Sequence, residues 1–141
     1  MTIQRILVAY DGSPHSKKAL DWGLNMAKQT TASLHLVMVF ERNIYHTDLP
    51  THLDDLEKTY MELFQMKLDS ALEACRDSGI PVSGEVCNGH ITDSIIKKAL
   101  AWQADMIVCG TRGHGGFANV LIGSVAHALV TYSDVPVVVI K

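Results

Sequence analysis

Met106-Ile107-Val108-Cys109-Gly110-Thr111-Arg112-Gly113, followed after nine residues by Gly123-Ser124-Val125, is the stretch that decides how this chain folds. Its first four residues are apolar without a break, the mark of a short strand buried on both faces. After Gly123 the pattern turns helical, with Ser124 expected as the cap and Val125, Leu129 and Tyr132 on one face. A glycine-rich turn from strand to helix presents backbone N–H groups with no Cβ in the way, and the helix start adds partial positive charge. Such a turn is an anion site suited to phosphate. Its expected donors are the N–H groups near Gly113 and at Gly123, Ser124 and Val125, with the Ser124 hydroxyl as a further one. Arg112 and His114 lie in the same loop and offer positive charge to a phosphate. Taken structurally alone, these glycines only permit a long, tight connection.

Outward from this loop the chain alternates strands and helices. Ile3–Ala9 reads as a first strand, apolar on both faces and therefore central. Asp11-Gly12-Ser13-Pro14 is a turn that also starts a helix, with Ser13 as cap and Pro14 at the first helical position, and the helix runs to about Gln29. Leu34–Phe40 is a second strand, and residues 41–51 read as a loop. A long second helix from Leu53 to about Cys75 ends before Ser78-Gly79. Val82–Val86 is a third strand whose polar alternation suggests an exposed position. Thr92 or Asp93 is expected to cap a third helix ending near Trp102, and Pro136 introduces a last strand, Val137–Ile140. This rhythm implies an α/β fold: one parallel sheet with right-handed crossovers and helices on both faces, in a single domain spanning 1–141. Ligands of such sheets bind beyond the carboxyl ends of the strands, where strand order reverses. Asp11 follows the first strand and Gly110 ends the fourth, so both face one crevice if those strands are neighbours.

Composition removes several classes of function. With 48% apolar residues the chain has enough to build a core. Its formal charge is −3, and no basic cluster exceeds the pairs Lys17-Lys18 and Lys97-Lys98, which argues against nucleic acid as a partner. No apolar run approaches the roughly 18–20 residues that span a bilayer. The five apolar residues Ile6–Tyr10 before Asp11 are too few for a signal-peptide core, so a cytoplasmic location is expected. Cys75, Cys87 and Cys109 form neither a disulfide framework nor a zinc pattern, and no histidine pair has metal-site spacing, so no metal site is expected from these side chains. His35 reads as a packed or edge residue of its strand, and His127 as a surface residue of the fourth helix. A Walker loop is excluded because Gly123 is followed by Ser124 rather than lysine.

Three segments together carry a resemblance. Gly110-x2-Gly113-x9-Gly123-Ser124, the opening Ile6-Leu7-Val8-Ala9-Tyr10-Asp11-Gly12-Ser13, and the closing Val135-Pro136-Val137-Val138-Val139 resemble the universal stress protein family, in particular its ATP-binding branch. The resemblance implies a five-stranded parallel sheet in the order 3-2-1-4-5, of the Rossmann-like, adenine nucleotide alpha hydrolase-like type. It implies ATP, or ADP or AMP, as ligand with Mg²⁺ beside the phosphates. It implies Asp11 near the ribose and metal-bound phosphate, Val39 meeting adenine through its backbone, and Gly110, Gly113, Gly123, Ser124 and Val125 holding ribose and phosphates. Ala9 and Cys109 would line the same pocket, with Cys109 acting as a small buried hydrophobe. It also implies a homodimer through the apolar edge strand Val137–Ile140, and a stress or regulatory role with an unknown protein partner. No residue is identified as catalytic, so hydrolysis is expected to be weak or absent. The rival readings are a low-activity ATPase and an interaction module indifferent to nucleotide.

Overall fold

The computed structural model describes residues 2–41, 53–112 and 122–141. Among these residues nine elements alternate: β1 (Arg5–Ala9), α1 (Pro14–Thr30), β2 (Ser33–Phe40), α2 (Leu53–Ala74), β3 (Val82–Asn88), α3 (Ile91–Trp102), β4 (Met106–Gly110), α4 (Ser124–Tyr132) and β5 (Val137–Ile140). The strands form one sheet in the order β3-β2-β1-β4-β5, with every pair parallel. The order anticipated from the resemblance is therefore the observed one. At the centre, Ile6 lies opposite Met106 and Val8 opposite Val108.

Side chains alternate across a strand, so the two faces divide the core. On one face Ile6, Val8, Leu34, Leu36 and Met38 pack against Ala19 of α1 and Phe64 and Leu68 of α2. On the other, Leu7, Val37, Ile107 and Cys109 pack against Ile95 and Ala99 of α3 and Ala126 and Leu129 of α4. Phe40 fixes α2 by stacking on Tyr60 at 6.0 Å and meeting Phe64 edge-on at 5.6 Å. Helix α1 approaches the sheet closely because of Gly23. A Cβ there would lie 3.0 Å from Val8 Cγ2 and 3.4 Å from Leu34 Cδ1.

The helix start read at Ser13 is the observed one: its hydroxyl accepts the Ser16 N–H at 3.2 Å, and Pro14 opens α1. Three other local expectations are corrected. β1 begins at Arg5 rather than Ile3, because the Asp105 carboxylate takes the N–H groups of Gln4 and Arg5 at 2.8 and 2.9 Å. Helix α3 is capped by His90, not Thr92 or Asp93; its Nδ1 accepts the Asp93 N–H at 3.3 Å, which an unprotonated ring nitrogen does as a serine hydroxyl would. Tyr132, expected on the inner face of α4, is 72% exposed, because the buried stripe runs through Ala126 and Leu129 and Tyr132 is the last helical residue. β3 is the half-exposed edge strand its alternation suggested, and it extends to Asn88. The loop read at residues 41–51 lies outside the described residues beyond Glu41.

Gly23→Val tests the close approach of α1. It should lower stability by about 1–3 kcal/mol through overpacking while keeping the fold. Urea unfolding should show a lower midpoint with an unchanged slope.

Candidate functional site

Strand order reverses between β1 and β4, and the chain leaves both strands at the same end of the sheet. After β1 the Asp11–Ser13 turn is tied by short bonds. Asp11 Oδ1 accepts the Ser13 N–H at 2.8 Å, and the Ser16 hydroxyl accepts the Asp11 N–H at 3.3 Å while donating to the Ser13 carbonyl at 3.0 Å. Gly12 has a φ of 81°, the left-handed region that suits glycine. One oxygen of Asp11 is thus engaged in shaping the turn, the structural role its sequence context allowed.

Gly110 closes the other side. A Cβ at this position would lie 2.7 Å from the carbonyl carbon and Cβ of His15, so only glycine lets the end of β4 lie against the first turn of α1. The next residue is held twice: the Thr111 N–H donates to Ile140 O at 3.0 Å, and Thr111 Oγ1 lies 3.3 Å from His15 Nδ1. Gly123 then returns to the same place. Its N–H donates to the Thr111 carbonyl, and a Cβ on it would lie 2.9 Å from that oxygen and 3.3 Å from Arg112 Cα. The two ends of the glycine motif therefore meet in a narrow neck, with Arg112 half-buried beside it. Gly113 and His114 lie outside the described residues.

The neck corrects two expectations about donors. Ser124 is the first residue of α4 rather than its cap; the cap is Gly123, with φ −70° and ψ 166°, and among the described residues no side chain caps the helix start. The Gly123 N–H, expected to face phosphate, is spent on Thr111. Helix geometry leaves the first N–H groups of α4, those of Ser124, Val125 and Ala126, without intrahelical acceptors. They make an electropositive helix start beside the crevice.

The lining residues fall on one face. Ala9, Val39, Cys87 and Val125 all pack at the margin of the α3/α4 core, and Cys109 is buried within it. Ala9 lies opposite Val37, two residues before Val39, and Cys109 follows Val108, the partner of Val8. Burial pushes the Cys109 thiol up to about 11, which suits a packed hydrophobe and not a nucleophile. Burial, then the charge of Asp11, raises the Tyr10 phenol above its ordinary value. Sequence reading missed His15 and Ser16. Nothing in their spacing marks them, because each acts by contact with a backbone segment distant or looped back in space.

An open parallel sheet whose strand order reverses at a glycine neck beside a helix start defines a doubly wound protein with a crevice at its switch point. The chain belongs to the universal stress protein family, whose model matches residues 2–141. It is similar to universal stress protein YxiE of Bacillus subtilis, 29% identical over 145 residues covering 97% of this chain and 98% of that one. The solved structure of the hypothetical protein MJ0577 superimposes with a TM-score of 0.92 at 22% identity, covering 100% of this chain and 97% of its own. Two further universal stress protein structures, one in complex with cAMP and one from Archaeoglobus fulgidus in complex with dAMP, have TM-scores of 0.72 and 0.71, each at 21% identity. They cover 100% of this chain and 98% and 100% of their own. At these identities the structural matches establish the fold.

The Cys109 environment gives a direct test. With its thiol raised to about 11, the thiolate fraction at pH 8 is about one in a thousand, so iodoacetamide should leave Cys109 unmodified in the native protein and label it on unfolding. Its folded value lies above the ordinary 9.0, so this contribution to stability is present below pH 9 and lost as pH rises towards 11. The urea midpoint should fall across that interval.

Proposed function

We propose that this chain is a nucleotide-responsive member of its family that binds ATP, or another adenine nucleotide, in the crevice between the Asp11 turn and the glycine neck. The observation that carries this reading is the start of α4. Gly123 caps the helix with no side chain, so the N–H groups of Ser124, Val125 and Ala126 are offered to a ligand rather than to a capping residue. Phosphate oxygens match these donors, with the Ser124 hydroxyl beside them. Ala9, Val39 and Cys109 supply an apolar wall suited to a base, with Val39 offering its backbone to adenine. Asp11 stands at the same end of the sheet, where a ribose hydroxyl or a phosphate-bound Mg²⁺ would meet its carboxylate. Arg112 at the neck and, in the adjoining loop, Gly113 and His114 complete the proposed contacts. The cAMP and dAMP complexes of the two fold relatives support an adenine nucleotide as the ligand class.

The reading is of binding more than of turnover. Hydrolysis needs a group to activate water and a cation fixed on the transferring phosphate. The crevice offers mostly backbone donors, and its cysteine is held protonated. The assembly is a homodimer in the cytoplasm. β5 is an edge strand with four apolar, half-buried residues. The bonds from Ile107 N–H to Pro136 O and from Thr111 N–H to Ile140 O fix its phase, so the N–H groups of Val137 and Val139 face outward for a second copy.

Two measurements test this. Calorimetric titration of nucleotide-free protein with MgATP should show binding that Gly123→Val reduces at least tenfold, since a Cβ at Gly123 drives into Thr111 and opens the neck. Unchanged affinity would reject the site; tighter binding of AMP or cAMP than of ATP would change the ligand but not the crevice. Val139→Pro removes one outward N–H at no cost to the β4 ladder and should shift the dimer to monomer in sedimentation equilibrium.

A further inference from the structure

At the far end of β2 and β3 from the crevice, a polar cluster lies on the face covered by α3. His35 and Ser83 are opposite each other in the parallel register. His35 Nδ1 lies 2.7 Å from Ser83 Oγ, and His35 Nε2 lies 2.7 Å from Glu85 Oε2. Glu85 Oε1 accepts from Lys98 Nζ of α3 at 2.9 Å and from the Cys87 thiol at 3.5 Å. The Trp102 ring stands 5.2 Å from that of His35 and shields it. His35 is buried, 9% exposed, while Ser83 is exposed on the edge strand.

Proton positions follow from the partners. Burial by itself raises the Glu85 carboxyl, but hydrogen bonds from Lys98 and His35 outweigh it and hold the group below its ordinary value, so it is a carboxylate at neutral pH. A carboxylate only accepts, so His35 Nε2 carries the proton. In that tautomer of the neutral ring Nδ1 accepts the Ser83 hydroxyl. A serine hydroxyl on an imidazole whose other nitrogen is held by a carboxylate is the arrangement that activates a serine nucleophile, whichever ring nitrogen serves as base.

The edge position adds a donor for developing charge. The Leu34 N–H donates to Pro81 O at 2.9 Å. With Leu34 opposite Val82, this phase turns the N–H groups of Ser83 and Glu85 towards β2 and that of Gly84 outward, on the open side of β3. The N–H of the residue after the nucleophile is a common oxyanion donor. On the opposite face the bare position 84 gives room to α2, since a Cβ would lie 2.8 Å from Leu68 Cδ1 and 3.2 Å from the Leu36 carbonyl oxygen.

We propose that Ser83, His35 and Glu85 form an acyl-transfer centre at the open edge of β3, on the face covered by α3, acting on small carboxylic esters with good leaving groups. Ser83 Oγ attacks the ester carbonyl carbon and its proton passes to His35 Nδ1, while Glu85 stabilises the imidazolium through Nε2. The oxyanion meets the Gly84 N–H. Collapse breaks the bond to the leaving-group oxygen, which takes the proton from Nδ1. Water then attacks the acyl-Ser83 ester by the same path and restores the serine. No oxidant or further reactant is needed.

The test uses the full chain, p-nitrophenyl acetate and a fluorophosphonate probe. The expected result is nitrophenol release above the buffer rate, with a single fluorophosphonate adduct mapped by peptide mass to Ser83. Ser83→Ala should lose the adduct and fall to the buffer rate while keeping the parental circular dichroism. Glu85→Gln should slow acylation of Ser83 about a hundredfold or more. No adduct at Ser83, acylation confined to Lys98 or other side chains, or an equal Ser83 labelling rate in Glu85→Gln and the parent would each overturn the proposal.

Discussion

β1 and β4 pair in parallel at the centre of the sheet, and most of the remaining arrangement depends on that pairing. The contact joins segments far apart in sequence, so loop-closure entropy opposes it. Burial offsets that cost: Ile6, Leu7, Val8, Ile107 and Val108 are each 0% exposed, and each such side chain contributes about 1.5–3 kcal/mol. The Asp105 carboxylate secures the entrance by accepting the Gln4 and Arg5 N–H groups. Once the two strands are side by side, right-handed crossovers send α1 and α2 to one face and α3 and α4 to the other. The two strand ends then open into one crevice.

The glycines of the neck are fixed by close backbone contact, and the binding role proposed for them falls at the same positions. Gly110 is bare because the backbone of His15 occupies the place of its Cβ. Gly123 is bare because Thr111 and Arg112 do the same. The neck these contacts form brings the start of α4 beside Thr111 and Arg112, and among the described residues no side chain caps its first N–H groups. Packing requires glycine at both positions, the residue type the proposed phosphate contacts also ask for.

β2 carries two different kinds of chemistry on one face. Val39 near its carboxyl end packs at the margin of the α3/α4 core, in the wall of the proposed crevice. His35, four residues earlier and about 13 Å away along the strand, belongs to a side-chain relay linking β2, β3 and α3. The relay explains how an edge strand with a polar face stays ordered. Ser83 and Glu85 satisfy the buried imidazole, and Lys98 ties the pair to α3.

The alternation of apolar runs and helical periods was sufficient to read all nine elements, and the interrupted run of glycines marked the crevice, because buried parallel strands and strand-to-helix turns leave local signatures. Ser13 and Pro14 stated the start of α1 for the same reason: a cap bonds within its own turn. Strand order was not local; it came from family resemblance, and the β1–β4 pairing realises it. Tertiary contact alone decided the rest. His15 gained its place from Gly110, nearly a hundred positions away. Gly123 displaced Ser124 as cap because its N–H reached back to Thr111. His35 became a hydrogen-bonded relay because the register set Ser83 opposite it. A side chain's partner across the sheet is fixed by how strands assemble, and no spacing along one strand records it.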